Sequence, residues 1–140
     1  MEICKKMRRN VISGAAAVIF GLLIALGPQF LFKVCGVHDG EIPRCNWVAR
    51  MEIAAGVLIA ALGICMIILS DMKIQLGLTI GVFLAVLVSA SLMINEFVGF
   101  CREPEMACQK NTLPALIVIC ALVFAGAVFN MIYLERKTKV

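Results

Sequence analysis

Seven cysteines are the side chains of this 140-residue chain that are best suited to chemistry. Four of them lie in two short polar segments that separate long apolar runs: Cys35, Cys45, Cys101 and Cys108. An even number of cysteines in segments that face an oxidising compartment is typical of disulfides. We favour the bonds Cys35–Cys45 and Cys101–Cys108 because each closes a short loop, and pairing across the two segments is the alternative.

Two other chemistries are open to these loop cysteines. Thiol exchange usually needs two cysteines separated by two residues, and neither segment has that spacing. Soft ligands for Cu(I) or Zn are present, because His38 and Met106 lie in the same segments. The spacing matches no zinc-finger pattern and the chain has one histidine, so we predict neither a metal site nor another cofactor. Cys65 and Cys120, inside apolar runs, are interpreted as small apolar side chains.

Acids at the ends of the apolar runs are the next candidates. Glu52 lies near the start of the second run and Glu96 at the end of the third. An ionisable side chain within a membrane is costly and is therefore a candidate for function. The uncharged residues 53–70 nearly cross a membrane by themselves. We therefore expect Glu52 at the outer rim beside Trp47. Its partner in an exposed ion pair would be one of three basic residues: Arg50, Arg44 and Lys110.

These residues must be positioned by membrane helices. Hydrophobic residues make up 62% of the chain and charged ones 16%, and the mean hydropathy is +1.00. This composition excludes a nucleic-acid-binding module, a disordered chain and most soluble domains. A helix needs about 20 apolar residues to cross roughly 30 Å of hydrocarbon, and four runs have that length: residues 11–32, 47–70, 74–95 and 113–134. We predict an all-α polytopic membrane protein, a single four-helix bundle over residues 1–140 that contacts the lipid bilayer and has two disulfide-bonded extracytoplasmic loops.

The basic residues predict how the helices are oriented. Eight of the 13 Lys and Arg residues lie in the N-terminal segment, in the turn between the second and third runs, and in the C-terminal tail. The other five lie at the opposite ends of the runs. Because basic residues close to the spans tend to stay on the cytoplasmic side, both termini are predicted in the cytoplasm and both cysteine loops outside it.

Small residues are spaced so that helices can pack closely. The longest row, at every fourth position, lies on the third run: Gly77, Gly81, Ala85 and Ser89. Shorter rows lie on the first run, at residues 17, 21 and 25, and on the second, at 56 and 60. Such rows let helix backbones approach one another within a membrane. The third helix is therefore predicted to be central, either within the bundle or facing a partner.

Several sequence stretches are similar to a known family. They are CNWVARME at residues 45–52, CREPEMAC at 101–108 and TLPAL at 112–116, with GPQ at 27–29 before the first loop cysteine. With them the chain resembles, over nearly its whole length, a prokaryotic membrane-protein family known as domain of unknown function 4418. The resemblance implies four spans and a gene neighbourhood beside ABC transporters of the macrolide-exporter type. Many members have histidine after the second cysteine, where this chain has Asn46, so the resemblance lends a metal site little support.

The predicted function follows from these observations. Four spans with few buried polar residues make a poor path for a solute, whereas a rigid polar cap makes a suitable contact surface. We therefore expect a non-enzymatic accessory or scaffold subunit of a larger complex in a prokaryotic plasma membrane, and the resemblance implies an ABC transporter permease as its partner. A small homo-oligomeric transporter or channel, with Glu52 and Glu96 at its mouth, is one alternative. An extracytoplasmic protein that handles thiols or metals is the other.

Overall fold

The residues that the structure describes form four long helices. The structure is a computed structural model, and it describes residues 1–31, 44–94, 110–111 and 113–139. Each helix includes a segment long and apolar enough to cross a membrane, which confirms the prediction of an all-α chain with four such helices. The helices are α1 (Glu2–Leu26), α2 (Arg44–Ile68), α3 (Met72–Ile94) and α4 (Leu113–Thr138), and a π-helical turn, Gly27–Leu31, follows α1.

The helices differ from the predicted spans mainly at their ends. α1 starts at Glu2 rather than at residue 11, because a helix satisfies its own backbone hydrogen bonds and can carry basic residues beyond the hydrocarbon. It ends at Leu26, and Pro28, which has no N–H to donate, lies in the π-helical turn that follows. α4 continues past residue 134 to Thr138.

A tight turn joins α2 to α3 and makes them antiparallel neighbours, as the short polar segment between the second and third runs predicts. Asp71 caps α3, because the Lys73 backbone N–H donates to Asp71 Oδ1 at 3.3 Å. The Gln75 backbone N–H donates to the Asp71 carbonyl oxygen at 2.9 Å. A capping side chain of this kind satisfies a donor that the first turn of a helix leaves without a partner.

The closest approach between helix backbones is that of α1 and α2. Gly21 on α1 faces Gly56 on α2, so that a Cβ atom added to Gly56 would lie 2.5 Å from the Gly21 carbonyl oxygen. Gly14 and Gly63 meet in the same way. On α3, by contrast, a Cβ atom at Gly77 would meet nothing within 4 Å. α3 packs between α2 and α4, but the closest contact belongs to the shorter rows of small residues on α1 and α2.

An apolar core fills the middle of the bundle. It joins buried side chains from all four helices, among them Ile24, Ile59 and Leu116. The rings of Phe83 on α3 and Phe124 on α4 lie with their centroids 5.0 Å apart. Because lipid tails are as apolar as these side chains, such contacts stabilise a membrane bundle through close packing rather than through the exclusion of water.

The bundle has two distinct ends. Arg9 near the start of α1 stacks on Tyr133 near the end of α4. A groove lined by both residues also reaches Met66, close to the α2–α3 turn. We call this side the terminal end. The opposite side, the loop end, carries the ends of α1 and α3 and the starts of α2 and α4.

The predicted loop chemistry lies outside the described residues. This applies to the side chains of four cysteines and one acid: Cys35, Cys45, Cys101, Cys108 and Glu96. Only the backbone of Cys45 is described, as part of α2. The two disulfides therefore stay predictions, and so does the place of Glu96 at the mouth of a transporter or channel.

Candidate functional site

The carboxyl group of Glu52 on α2 is buried inside the bundle, where the side chain is 1% exposed. Its position follows from the helical period. Val48 lies four residues before it, Gly56 and Ile59 lie four and seven residues after it, and all three are buried. Glu52 therefore belongs to the stripe of α2 that faces the other helices.

Glu52 pairs with a hydroxyl group from α3. Ser89 is buried as well, and its Oγ donates a hydrogen bond to Glu52 Oε2 at 2.5 Å. The other carboxyl oxygen, Oε1, is buried and has no hydrogen-bond partner among the described residues. Cys120 on α4 is buried within electrostatic reach of Glu52, and its thiol is free. A carboxyl and a hydroxyl from two helices thus meet toward the loop end, where α4 also buries a thiol.

This geometry corrects the predicted position of Glu52. Side chains two residues apart point about 200° apart around a helix with 3.6 residues per turn, so Glu52 and Arg50 lie on opposite faces. Arg50 and Trp47 are exposed. Glu52 lies about 9 Å along the axis beyond Asn46, where the apolar segment of α2 begins. The predicted exposed position of Glu52 and its ion pair with Arg50 are therefore wrong, whereas a functional role of Trp47 and Arg50 stays a prediction.

A second set of polar side chains lies toward the terminal end. Gln75 on α3 donates from Nε2 to the carbonyl oxygens of Met66 and Leu69, each at 2.5 Å. Carbonyls at the end of a helix have no partner within it, so Gln75 caps α2. Thr79 Oγ1 donates to the Gln75 carbonyl oxygen at 2.8 Å, and Asn130 Nδ2 on α4 donates to Thr79 Oγ1 at 2.9 Å. This set connects α3 to both of its neighbours.

An apolar layer separates the two polar sets. Gln75, Thr79 and Ser89 share the buried face of α3, a pattern visible in the sequence, although sequence reasoning singled out neither Gln75 nor Thr79. Between Thr79 and Ser89 this face carries Val82 and Val86, and both are buried. The interval is about 15 Å of helix axis. Along this face the described residues therefore offer no continuous polar path between the two ends of the bundle.

The Glu52 site is suited to holding a proton or a small cation. A carboxyl group in apolar surroundings is a typical component of proton relays and ion pathways in membranes, and Oε1 is an acceptor that no described side chain occupies. Glu52, Ser89 and Cys120 are all buried, so the described residues leave a water-soluble substrate no direct access to the carboxyl group. Within the described ranges, no three His, Cys, Asp or Glu side chains lie together as metal ligands would.

Four helices of membrane-spanning length and composition, packed around a buried carboxyl and two polar sets, define a multi-pass membrane protein with a four-helix bundle. Its outward helix faces contact the lipid bilayer. Residues 17–133 match the model of a family described as Domain of unknown function (DUF4418). The chain belongs to this family, which confirms the resemblance seen in its sequence. No curated protein and no solved structure matches the chain.

Proposed function

We propose that the chain is a non-enzymatic integral membrane subunit, an accessory or scaffold component of a larger complex in a prokaryotic plasma membrane. The observation that carries the proposal is the apolar layer between the two polar sets, because a solute finds no polar path along the buried face of α3. Glu52, Gln75 and Asn130 each contact a neighbouring helix, so these polar groups serve to hold helices together.

A glycine on the outer face of α3 supports a partner within the membrane. Gly77 is exposed, and a Cβ atom added to it would meet nothing within 4 Å. Glycine at a membrane-exposed position lets another helix approach closely. A second copy of the chain or a different membrane protein fits such a face. The gene neighbourhood that the family resemblance implies favours an ABC transporter permease.

The proposal includes an orientation. The terminal end carries basic residues from three separate parts of the chain: the start of α1, the α2–α3 turn and the end of α4. Because basic residues near membrane spans tend to stay in the cytoplasm, we propose that the terminal end is cytoplasmic. The loop end, with the predicted disulfides, would then present a polar surface outside the cell to a partner.

Co-purification with a co-expressed permease tests this function. We expect the tagged chain and the permease encoded beside it to leave mild detergent as a complex of fixed stoichiometry, measured by light scattering after gel filtration. Gly77→Leu should lose the complex without a change in thermal stability. Ala54→Leu, a comparable enlargement at an exposed position of α2, should keep it. A folded wild-type chain that stays monomeric and binds no permease would contradict the proposal.

A transporter that works as an oligomer is a second candidate, favoured by the Oε1 atom of Glu52, which finds no hydrogen-bond partner in the described part of the chain. Flux of protons or monovalent cations into proteoliposomes distinguishes the two functions. For a subunit without transport activity, wild type and Glu52→Gln should both match empty liposomes. Flux in the wild type that Glu52→Gln abolishes and Ser89→Ala alters, with normal assembly of both variants, would instead establish transport.

A further inference from the structure

A lateral groove between α1 and α4 has no part in the proposed function. Its volume is about 270 Å³, and its walls are mainly apolar side chains such as Phe20 and Val123. Three side chains on its margins are 60%, 54% and 76% exposed: Ile12, Leu122 and Phe129. The groove therefore opens sideways, toward the surrounding lipid.

The terminal end of the groove is cationic. Arg9 lines it, and the guanidinium carbon lies 3.9 Å from the centroid of the Tyr133 ring, a cation–π contact that holds the charge in place. Arg9 Nε and Nη2 are shielded from solvent and have no hydrogen-bond partner among the described residues. Ser13 and Asn130 add polar groups at the same end. A ligand with a negative charge and several acceptor oxygens is complementary to this arrangement.

The length of the groove corresponds to one leaflet of a bilayer. Tyr133 lies about 30 Å along the axis of α4 from its start at Leu113, which equals the typical thickness of the hydrocarbon core. Arg9 and Tyr133 thus lie at the level of lipid headgroups. From Arg9 to Phe20 the groove covers about 16 Å of helix axis, which is about half of that thickness.

We infer that this groove binds one anionic phospholipid, with the phosphate at Arg9 and an acyl chain along the apolar wall of α4. A guanidinium group binds phosphate oxygens through paired N–H donors and stays charged in apolar surroundings. A zwitterionic lipid offers the same acyl chains, but its ammonium group adds a repulsive charge close to Arg9. Basic pockets between transmembrane helices are typical binding sites for anionic headgroups. Free phosphate would contact Arg9 and leave the apolar wall unused.

Native mass spectrometry of the full chain in detergent measures this binding directly. The probes are dioleoyl phosphatidylglycerol and dioleoyl phosphatidylcholine, titrated separately, with inorganic phosphate as a competitor. We expect one phosphatidylglycerol per chain and binding of phosphatidylcholine that is about tenfold weaker, which corresponds to about 1.4 kcal/mol. Inorganic phosphate at the same concentration should not displace the lipid.

Two matched pairs of variants assign the site. Arg9→Gln should weaken phosphatidylglycerol binding about tenfold, whereas Arg8→Gln, which removes the same charge from an exposed neighbour, should change it less than about twofold. Gly126→Leu should weaken the binding of both lipids, because Gly126 lines the groove and a larger side chain there meets no protein atom nearby. Because Gly77 lies outside the groove, Gly77→Leu should bind lipid as the wild type does. If Arg9→Gln does not fold, Arg9→Lys and Gly126→Leu decide the question.

Four results would overturn this inference. Equal affinity for the two lipids would remove the role of charge, and equal losses in Arg8→Gln and Arg9→Gln would indicate diffuse attraction without a site. Normal lipid binding in Gly126→Leu would exclude the groove as the lipid-binding site. If the wild type binds a second copy of the chain and Gly126→Leu does not, the groove is a protein interface. The proposed function is tested separately, because Gly77→Leu removes the partner face and leaves the groove intact.

Discussion

Replacing Gly56 by alanine tests whether the contact between α1 and α2 holds the bundle together. The added Cβ atom would lie 2.5 Å from both the Gly21 carbonyl oxygen and the Ala25 amide nitrogen, and 2.9 Å from the Ala25 Cα atom. Because non-bonded carbon atoms normally lie about 3.5–4.0 Å apart, the two helices must separate by roughly 1 Å. All three obstacles are backbone atoms, so no side-chain rotation relieves the clash.

The expected cost is about 2–3 kcal/mol of unfolding free energy, the upper part of the usual range for overpacking. A gap of about 0.5–1 Å removes a quarter to a half of each van der Waals contact that it affects. Gly14 and Gly63 lie in the same contact, so separation at Gly56 weakens packing there as well. Gly77→Ala is the matched control, since it changes helix propensity equally and meets nothing within 4 Å. It should not lower the unfolding free energy, and the higher helix propensity of alanine should raise it by up to about 1 kcal/mol.

Unfolding of these variants can be followed through Trp47, the only tryptophan of the chain, which lies on α2 and is about half exposed. The protein is held in one mild detergent and titrated with dodecyl sulfate. Gly21→Ala should be destabilised to a similar extent, and the double variant by less than the sum, because helices already moved apart leave room for the second methyl group. If Gly56→Ala and Gly77→Ala unfold at the same dodecyl sulfate fraction, the backbone contact between α1 and α2 does not hold the bundle together.

Three further predictions need simpler measurements. In the same titration Gln75→Leu should lose about 1–3 kcal/mol, because two helix-end carbonyls lose their donor, whereas Asn130→Leu should lose only about 0.6 kcal/mol, a typical value for a hydrogen bond between membrane helices. Equal losses would contradict this difference. A reporter fused to the C terminus should give a cytoplasmic signal, and an extracytoplasmic signal would contradict the proposed orientation. Mass mapping of the unreduced protein should find each disulfide within one loop, and a link between the loops would contradict the pairing: Cys35 with Cys45, and Cys101 with Cys108.

The four helices could be predicted because the bilayer imposes their length and composition on the sequence. Their ends were less predictable. Hydropathy alone predicts that the first helix starts at residue 11, just after the basic residues. In the structure the basic residues are part of the same helix, which starts at Glu2. Backbone hydrogen bonding does not depend on whether a side chain lies in lipid or in water, so a change in hydropathy does not mark the end of a helix.

The orientation of Glu52 was predictable in principle. The uncharged run after Glu52 indicates only its depth along the helix. Its direction around the axis follows from the helical period, which also places Val48, Gly56 and Ile59 on the buried face. Its partner was less accessible. Ser89 was recognised as part of a row of small residues, but a sequence periodicity indicates which side chains share a face and not which face of another helix they meet. Cys120, interpreted as a small apolar side chain, is buried as expected, and its closeness to Glu52 had no signal in the sequence.

The contacts between the helices differ in kind, and this decides where another molecule can enter the bundle. α1 and α2 are held by backbone packing at Gly21 and Gly56, whereas α3 is joined to α2 through Ser89 and to α4 through Thr79. The described contact of α1 with α4 consists of a cation–π pair at one end and a groove along its middle. Because helices in lipid associate through close packing and hydrogen bonds, this contact is the weakest of the four. Separating α1 from α4 therefore costs less than opening any other side, and a lipid would enter the bundle there.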